Sequence, residues 1–388
     1  MKNVLTLNSI SPVINDIFDS SYNVAADVKN PEGIILRSFK MHDYDLPETV
    51  LAVARAGAGV NNIPVDAYAE KGVVVFNTPG ANANAVKELV VAALLLGSRK
   101  VTDAVDWVKT LKGKGEEVGK LVEKGKSNFA GREIAGKKLG VIGLGAIGAL
   151  VANAALGLGM TVVGYDPFLS VNAALRLSRH VSVVSDVDEL FKTCDYVTVH
   201  IPYIPNSNKG FINAGNMRKM KDGAVLINCA RGELVDNADV IKALESGKLS
   251  RYVTDFPADE LIGVENAICI PHLGASTEEA EENCAVMAAK QLIDYIENGN
   301  IVNSVNFPAC SMPKTTPYRL VILHKNTPNI LAQITSTVGA EKVNIANLSN
   351  QSRGEYAVTM LDVESEVKAE AIQNISDLKN VIKVRVIK

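Results

Sequence analysis

One thirty-residue stretch constrains this chain more than any other. An apolar strand over 137–142 runs into Gly143-Leu144-Gly145-Ala146-Ile147-Gly148; an apolar helix over 149–158 follows, and a second strand over 161–165 ends at Asp166. Glycines spaced G-x-G-x-x-G between a strand and a helix meet three needs: Gly143 permits the tight turn, Gly145 lets the backbone approach a pyrophosphate, and Gly148 allows close helix packing. The helix start adds unpaired N–H groups and the positive end of its dipole. Asp166 stands 18 residues after Gly148, where a carboxylate binds the adenosine ribose hydroxyls. The strand–helix–strand context argues against glycines that merely punctuate a turn. A carboxylate at this point repels a 2′-phosphate, and Pro167 and Phe168 bring no cation, so NAD is expected over NADP.

Further strands are expected at 181–184, 196–199, 224–228, 251–254 and 267–270, giving seven with the two above and suiting one doubly wound parallel sheet. Upstream, strands at 3–7, 33–36, 51–54 and 73–77 predict a second α/β unit. A helical region from 83 to about 112 follows it, and then a charged, glycine-dotted stretch to 131. The apolar run 89–97 lies between Glu88 and Arg99. It falls short of the roughly 20 residues a bilayer requires and reads as a buried helix, with core packing also expected for Trp107. A helix over 276–298 with an acidic start suits the dipole. Residues 303–317 carry Pro308, Pro313 and Pro317 and read as a linker. Beyond it come strand 318–323, helix 330–339, strands 343–348 and 356–363, helix 366–378 and strand 381–387, the βαββαβ order of a ferredoxin-like domain.

At about 150 residues per domain, 388 residues predict two or three units. Lys and Arg total 40 against 43 Asp and Glu, a net charge of −3. No bulk positive field draws the chain to nucleic acid or to an anionic membrane, while small anions remain open as ligands. Residues 1–10 lack the apolar core of a secretory signal. The five cysteines, at 194, 229, 269, 284 and 310, form neither CxxC nor a zinc spacing. Free thiols in a reducing cytoplasm are expected, with no metal site.

In an open parallel sheet the ligand crevice lies beyond the carboxyl ends of the strands. Four of those ends lead to His200, Arg231, Asp255 and His272. Any one alone reads as a solvated strand tip; four together predict a site.

The phrases around them are Gly140-Val141-Ile142-Gly143-Leu144-Gly145, His200-Ile201-Pro202, Asn228-Cys229-Ala230-Arg231-Gly232, Asp255 with Glu260 five later, and Pro271-His272-Leu273-Gly274. With these motifs in this order, residues 1–307 resemble the D-isomer-specific 2-hydroxyacid dehydrogenase family. The resemblance implies two Rossmann-like doubly wound domains: a discontinuous substrate domain of residues 1–95 and 284–307, and an NAD domain of 96–283 inserted into it. Residues 308–317 would be the linker and 318–388 the third domain.

The resemblance also implies roles. Arg231 would bind the substrate carboxylate and polarise the carbonyl, His272 would be the acid/base, and Glu260 would pair with that histidine, with Asp259 its competitor. Imidazole titrates near neutrality, and arginine can hold both oxygens of a planar carboxylate. NAD would lie against Gly143, Gly145, Ala146, Ile147, Gly148 and Asp166, and then His200, Ile201, Pro202, Cys229, Ala230, Asp255, Gly274 and Ala275. Cys229 would be a cofactor wall or simply a buried thiol. Arg37, Ser38 and Lys40 follow an apolar strand. They would hold a phosphate, so the expected substrate is a small phosphorylated 2-hydroxy or 2-keto acid with an anion at each end.

The βαββαβ segment resembles the amino-acid-binding ACT domains, implying an L-serine effector at His324, Asn326 and Asn344. Pro328-Asn329 replaces the Pro-Gly of those domains. Asn tolerates a left-handed backbone but is bulkier than Gly. A homodimer or homotetramer is implied as well. The rival readings are a member acting on unphosphorylated glyoxylate or hydroxypyruvate, and a non-enzymatic NAD-sensing regulator.

Overall fold

Short, wholly apolar strands are stable only where both faces of a sheet are covered, and the N-terminal region is built that way. The computed structural model describes residues 1–388. Its first sheet contains β1 (Lys2–Leu7), β2 (Tyr22–Ala25), β3 (Gly33–Leu36), β4 (Ala52–Arg55) and β5 (Val74–Phe76), parallel throughout in the order β2-β1-β3-β4-β5. All four residues of β3 are buried. The edge strand β2 was not expected, because Tyr22–Ala25 carries too short an apolar pattern to stand out.

The chain divides into two units, Met1–Asn82 with Glu281–Lys388, and Ala83–Ala280. These boundaries replace the expected ones near 95 and 283. The shift has a packing cause: helix Ala83–Ser98 sends Val86, Val90, Ala93 and Leu94 into the core of the second unit, so the crossing precedes the helix. That unit holds β6 (Lys138–Ile142), β7 (Thr161–Tyr165), β8 (Ser182–Val184), β9 (Tyr196–Val199), β10 (Ala224–Asn228), β11 (Leu249–Thr254) and β12 (Ala267–Cys269). The seven strands are parallel in the order β12-β11-β10-β9-β6-β7-β8, and the order reverses between β6 and β9. Between 99 and 131 two helices form, Val101–Lys109 and Val118–Gly125. Trp107 stacks on Phe129 there, with ring centroids 5.2 Å apart, rather than entering the core.

The C-terminal sheet comprises β13 (Tyr318–Lys325), β14 (Ile345–Arg353), β15 (Tyr356–Val363) and β16 (Val381–Ile387), antiparallel in the order β14-β15-β13-β16. That is the ferredoxin-like arrangement. One face puts Leu320, Ile322, Leu361 and Val363 against the helices Ile330–Ala340 and Ala369–Ser376. The other joins Val321, Leu323, Val358 and Met360 to Phe76, Leu292 and Tyr295 in the core of the first unit. This sheet therefore shares a compact unit with the N-terminal one. Nor is 308–317 a free tether: Pro308 and Cys310 are buried, and Cys310 exchanges backbone hydrogen bonds of 2.8 and 3.0 Å with Ile301.

A buried ion pair closes this arrangement. Arg319, wholly buried, donates from Nε to Asp362 Oδ1 at 2.6 Å and from Nη2 to Oδ2 at 3.0 Å. Its Nη1 reaches the carbonyl oxygens of Asn298 at 2.9 Å and Met312 at 3.0 Å. Burial pushes the Asp362 carboxyl up, but the bonds from Arg319 and Thr315 outweigh it and hold the group below its ordinary value. The stabilisation is thus full at neutral pH and is lost as pH falls through the depressed value. Arg319→Leu strands a buried carboxylate and is expected to cost about 3–5 kcal/mol in urea denaturation. A loss under about 1 kcal/mol, the scale of an exposed pair, would show that the pair carries little.

Candidate functional site

The glycine loop stands at the reversal between β6 and β9. Gly143 has φ 90°, and a Cβ there would lie 2.6 Å from the His200 carbonyl oxygen. A Cβ on Gly148 would fall 1.9 Å from the Gly143 carbonyl oxygen. Gly145 differs, because nothing lies within 4 Å of its Cβ position. It is the N-cap of helix Ala146–Gly157, and no side chain caps that end. Asp166 follows β7, accepting from the Leu144 amide through Oδ2 and from the Phe168 amide through Oδ1, each at 2.9 Å. Strand end and loop are thereby fixed to one another. Open space over uncapped amides suits a pyrophosphate.

The four titratable groups follow the ends of the adjacent strands β9, β10, β11 and β12. Burial pulls the His200 imidazole down to about 4, so it is neutral at physiological pH. Its Nε2 meets Thr198 Oγ1 at 3.0 Å, and its buried Nδ1 has no partner. Burial, with Asp255 nearby, pushes the Cys229 thiol up to about 12, which disqualifies it as a nucleophile. Asp255 is buried: Oδ2 accepts from the Gly274 amide at 3.2 Å and Oδ1 has no partner. Burial raises its carboxyl despite the opposing pull of His272, the Gly274 amide and Arg231. An unpaired buried acceptor costs free energy until a donor reaches it, and a carboxamide N–H is such a donor. Arg231 anchors on the Ala230 carbonyl at 2.6 Å, while Asn228 Nδ2 holds the Arg231 carbonyl at 2.9 Å. His272 is exposed and leans on Phe256, ring centroids 4.6 Å apart.

Glu260 does not join this group as expected. It sits in a short 3-10 turn, exposed, and accepts from Asn237 Nδ2 at 2.9 Å rather than from His272. An offset of five from Asp255 fixed its place in the chain but not its partner, which comes from another element.

In the first unit Arg37, Ser38 and Lys40 follow the carboxyl end of β3. Arg37 pairs with Glu281, Nη1 to Oε1 2.6 Å. Its carbonyl accepts from Arg55 Nε at 3.0 Å and Asn62 Nδ2 at 3.2 Å. No sequence signal links Glu281 to Arg37. The proposed effector set changes too. His324 is buried in β13, its ring bonded to Thr359 Oγ1 and to the Lys325 carbonyl, both at 2.9 Å, which removes it from the candidates. Asn326 and Asn344 stay exposed, and Asn329 takes the left-handed backbone, φ 69°.

Residues 91–274 match the family model described as D-isomer specific 2-hydroxyacid dehydrogenase, NAD binding domain. The D-3-phosphoglycerate dehydrogenase of Haemophilus influenzae is 34% identical over 350 residues, 87% of this chain and 81% of that protein. The chain belongs to the D-isomer-specific 2-hydroxyacid dehydrogenase family. The enzyme of the same name from Methanocaldococcus jannaschii is 34% identical over 319 residues, 79% of this chain; the match spans only 58% of that relative's length. Among solved structures of the family, NAD+-bound 3-phosphoglycerate dehydrogenase of Entamoeba histolytica superposes with a TM-score of 0.61 at 27% identity, covering 79% of this chain and 98% of that one. The glycine loop fits the family's NAD. The two glycines with blocked Cβ positions form the turn, and Gly145 leaves the ligand its space.

Gly145→Ala separates ligand from fold. Its Cβ meets no protein atom, so Tm is expected to stay at the wild-type value while NADH affinity, titrated by fluorescence, falls about tenfold, the equivalent of about 1.4 kcal/mol of clash. An unchanged Kd would place the pyrophosphate elsewhere.

Proposed function

We propose that this chain is an NAD-dependent D-3-phosphoglycerate dehydrogenase, oxidising 3-phospho-D-glycerate to 3-phosphohydroxypyruvate, the entry step of L-serine biosynthesis. The observation that carries it is the row of Arg231, Asp255 and His272 after three neighbouring strands of the sheet that bears the glycine loop. Relatives 34% identical bear that enzyme's name.

In this reading the Arg231 guanidinium holds the substrate carboxylate and draws electron density from the reacting C2 oxygen. The His272 imidazole takes the C2 hydroxyl proton as the hydride leaves C2, and returns a proton in the reverse direction. Bound NAD supplies the hydride acceptor. The buried, unpaired Oδ1 of Asp255 would accept a hydrogen bond from the carboxamide of bound NAD. Arg37, Ser38 and Lys40 take the phosphate. Glu260 would serve His272 only after leaving Asn237.

Two further assignments belong here. The ferredoxin-like domain is read as an ACT domain with an L-serine site at Asn326 and Asn344. Val101, Val105 and Val108, spaced along one helix and each about half exposed, favour a homodimer or homotetramer joined through the cofactor unit. No helix is long and apolar enough to cross a membrane. Five free cysteines, four of them buried, fit a reducing cytoplasm.

Substrate and chemistry have separate tests. The kcat/KM for 3-phosphohydroxypyruvate with NADH is expected to exceed that for hydroxypyruvate, and NADH is expected to be preferred over NADPH; the opposite order in either comparison rejects that part of the reading. His272→Ala is expected to lower kcat by about 10²–10⁴ while the Kd for NADH stays put. Activity unaffected by that change would remove His272 from the mechanism. Millimolar L-serine should shift Tm or activity, and no change in either rejects the effector site.

A further inference from the structure

The proposed phosphate anchor is already occupied by an anion of the chain itself. Arg37 Nη1 lies 2.6 Å from Glu281 Oε1, with each side chain roughly two-fifths exposed, and Glu281 comes from the first turn of helix Glu278–Asn298. The backbone around Arg37 is fixed by Arg55 and Asn62, which both bond its carbonyl. A second cation is close by, since Arg55 Nε lies 3.0 Å from the Arg37 carbonyl oxygen.

An arginine placed to receive a phosphate has no need of a carboxylate at hydrogen-bond distance. The carboxylate repels the incoming dianion, and its own bond to Arg37 must be broken or shared when phosphate binds. The same carboxylate is at hand to reclaim Arg37 when a phosphorylated product leaves.

We propose that Glu281 is an exchange counterion for Arg37, a specificity-determining residue that weakens the hold of the site on the phosphate end and so speeds release. The inference rests on the assignment of Arg37 to the phosphate given above. Because the pair is partly exposed, its effect is modest, on the scale of about 1 kcal/mol at most, or roughly a fivefold change in affinity. Specificity is a difference of affinities, and a repulsive element tunes it as effectively as an attractive one.

The test compares Glu281→Gln with Glu281→Asp and Arg37→Gln in steady-state reduction of 3-phosphohydroxypyruvate and of hydroxypyruvate, with inorganic phosphate as competing anion. Glu281→Gln is expected to lower the KM for the phosphorylated substrate and the inhibition constant of phosphate by about two- to fivefold, with kcat unchanged or reduced. Glu281→Asp keeps the charge and should stay close to wild type in both. A raised or unaltered KM in Glu281→Gln overturns the proposal, the first showing that Glu281 merely orients Arg37 and the second that the pair is idle. Arg37→Gln isolates the underlying assignment. It should raise the KM for phosphohydroxypyruvate relative to that for hydroxypyruvate, and an unchanged ratio means that Arg37 does not meet the phosphate at all.

Discussion

The first unit depends on one helix, Glu278–Asn298, buried between two sheets. Leu292, Tyr295 and Ile296 lie in a single core with Ile35 and Phe76 of the N-terminal sheet and Val321, Leu323 and Met360 of the C-terminal one. The helix has no basic residue in its last turn, so its terminal carbonyls need outside donors. Two arginines supply them. Arg385 of β16 donates to the Tyr295 and Ile296 carbonyls at 3.0 Å each, and Arg319 of β13 to that of Asn298. Farther along the helix Gln291 bonds the Asn77 carbonyl at 3.0 Å, and in its first turn Glu281 holds Arg37. The cation that fixes the C-terminal carbonyls is itself neutralised by Asp362, which is why the Arg319–Asp362 pair can be wholly buried.

The nucleotide unit depends on a different constraint, the absence of two side-chain carbons. Gly143 and Gly148 bring the loop, the helix start and the His200 carbonyl within distances that no Cβ permits. The topological reversal then leaves a crevice at this point. On one side of it β9 to β12 lie side by side in chain order, so residues 200, 231, 255 and 272 follow the ends of adjacent strands although 72 positions separate the first from the last. Within this row burial differs: it holds His200 neutral and Cys229 protonated, and leaves His272 exposed.

Much of this was legible beforehand because local pattern and backbone geometry coincide there. Thr161–Tyr165, Tyr196–Val199 and Ala224–Asn228 form as their apolar runs predict, and Gly143 and Gly148 stand where a tight turn and close helix packing leave no room for a Cβ. Legibility fails where backbone or distant partners decide. The strand Ile345–Arg353 runs five residues past its expected end, since hairpin pairing with β15 carries polar residues that no apolar pattern would mark. Helix Val118–Gly125 was hidden by the glycines and charges around it, whereas Val101–Lys109 falls within the helical region expected to about 112. His324 entered the effector set through the resemblance to ACT domains; in the fold it is buried, its ring bonded to Thr359 and to the Lys325 carbonyl.

By itself the sequence determined the two parallel sheets, the dinucleotide loop, the βαββαβ order and the row of titratable strand ends. Those depend on spacing, side-chain period and glycine, which are properties of neighbouring residues. Tertiary structure alone decided that the C-terminal sheet is covered on both faces, that the crossing between units precedes helix Ala83–Ser98, that Glu260 bonds Asn237, and that Arg37 carries Glu281 as its counterion. Each of these is a contact between residues far apart in the chain, or a choice among several acceptable partners. Local sequence sets which groups can pair, whereas packing sets which of them meet.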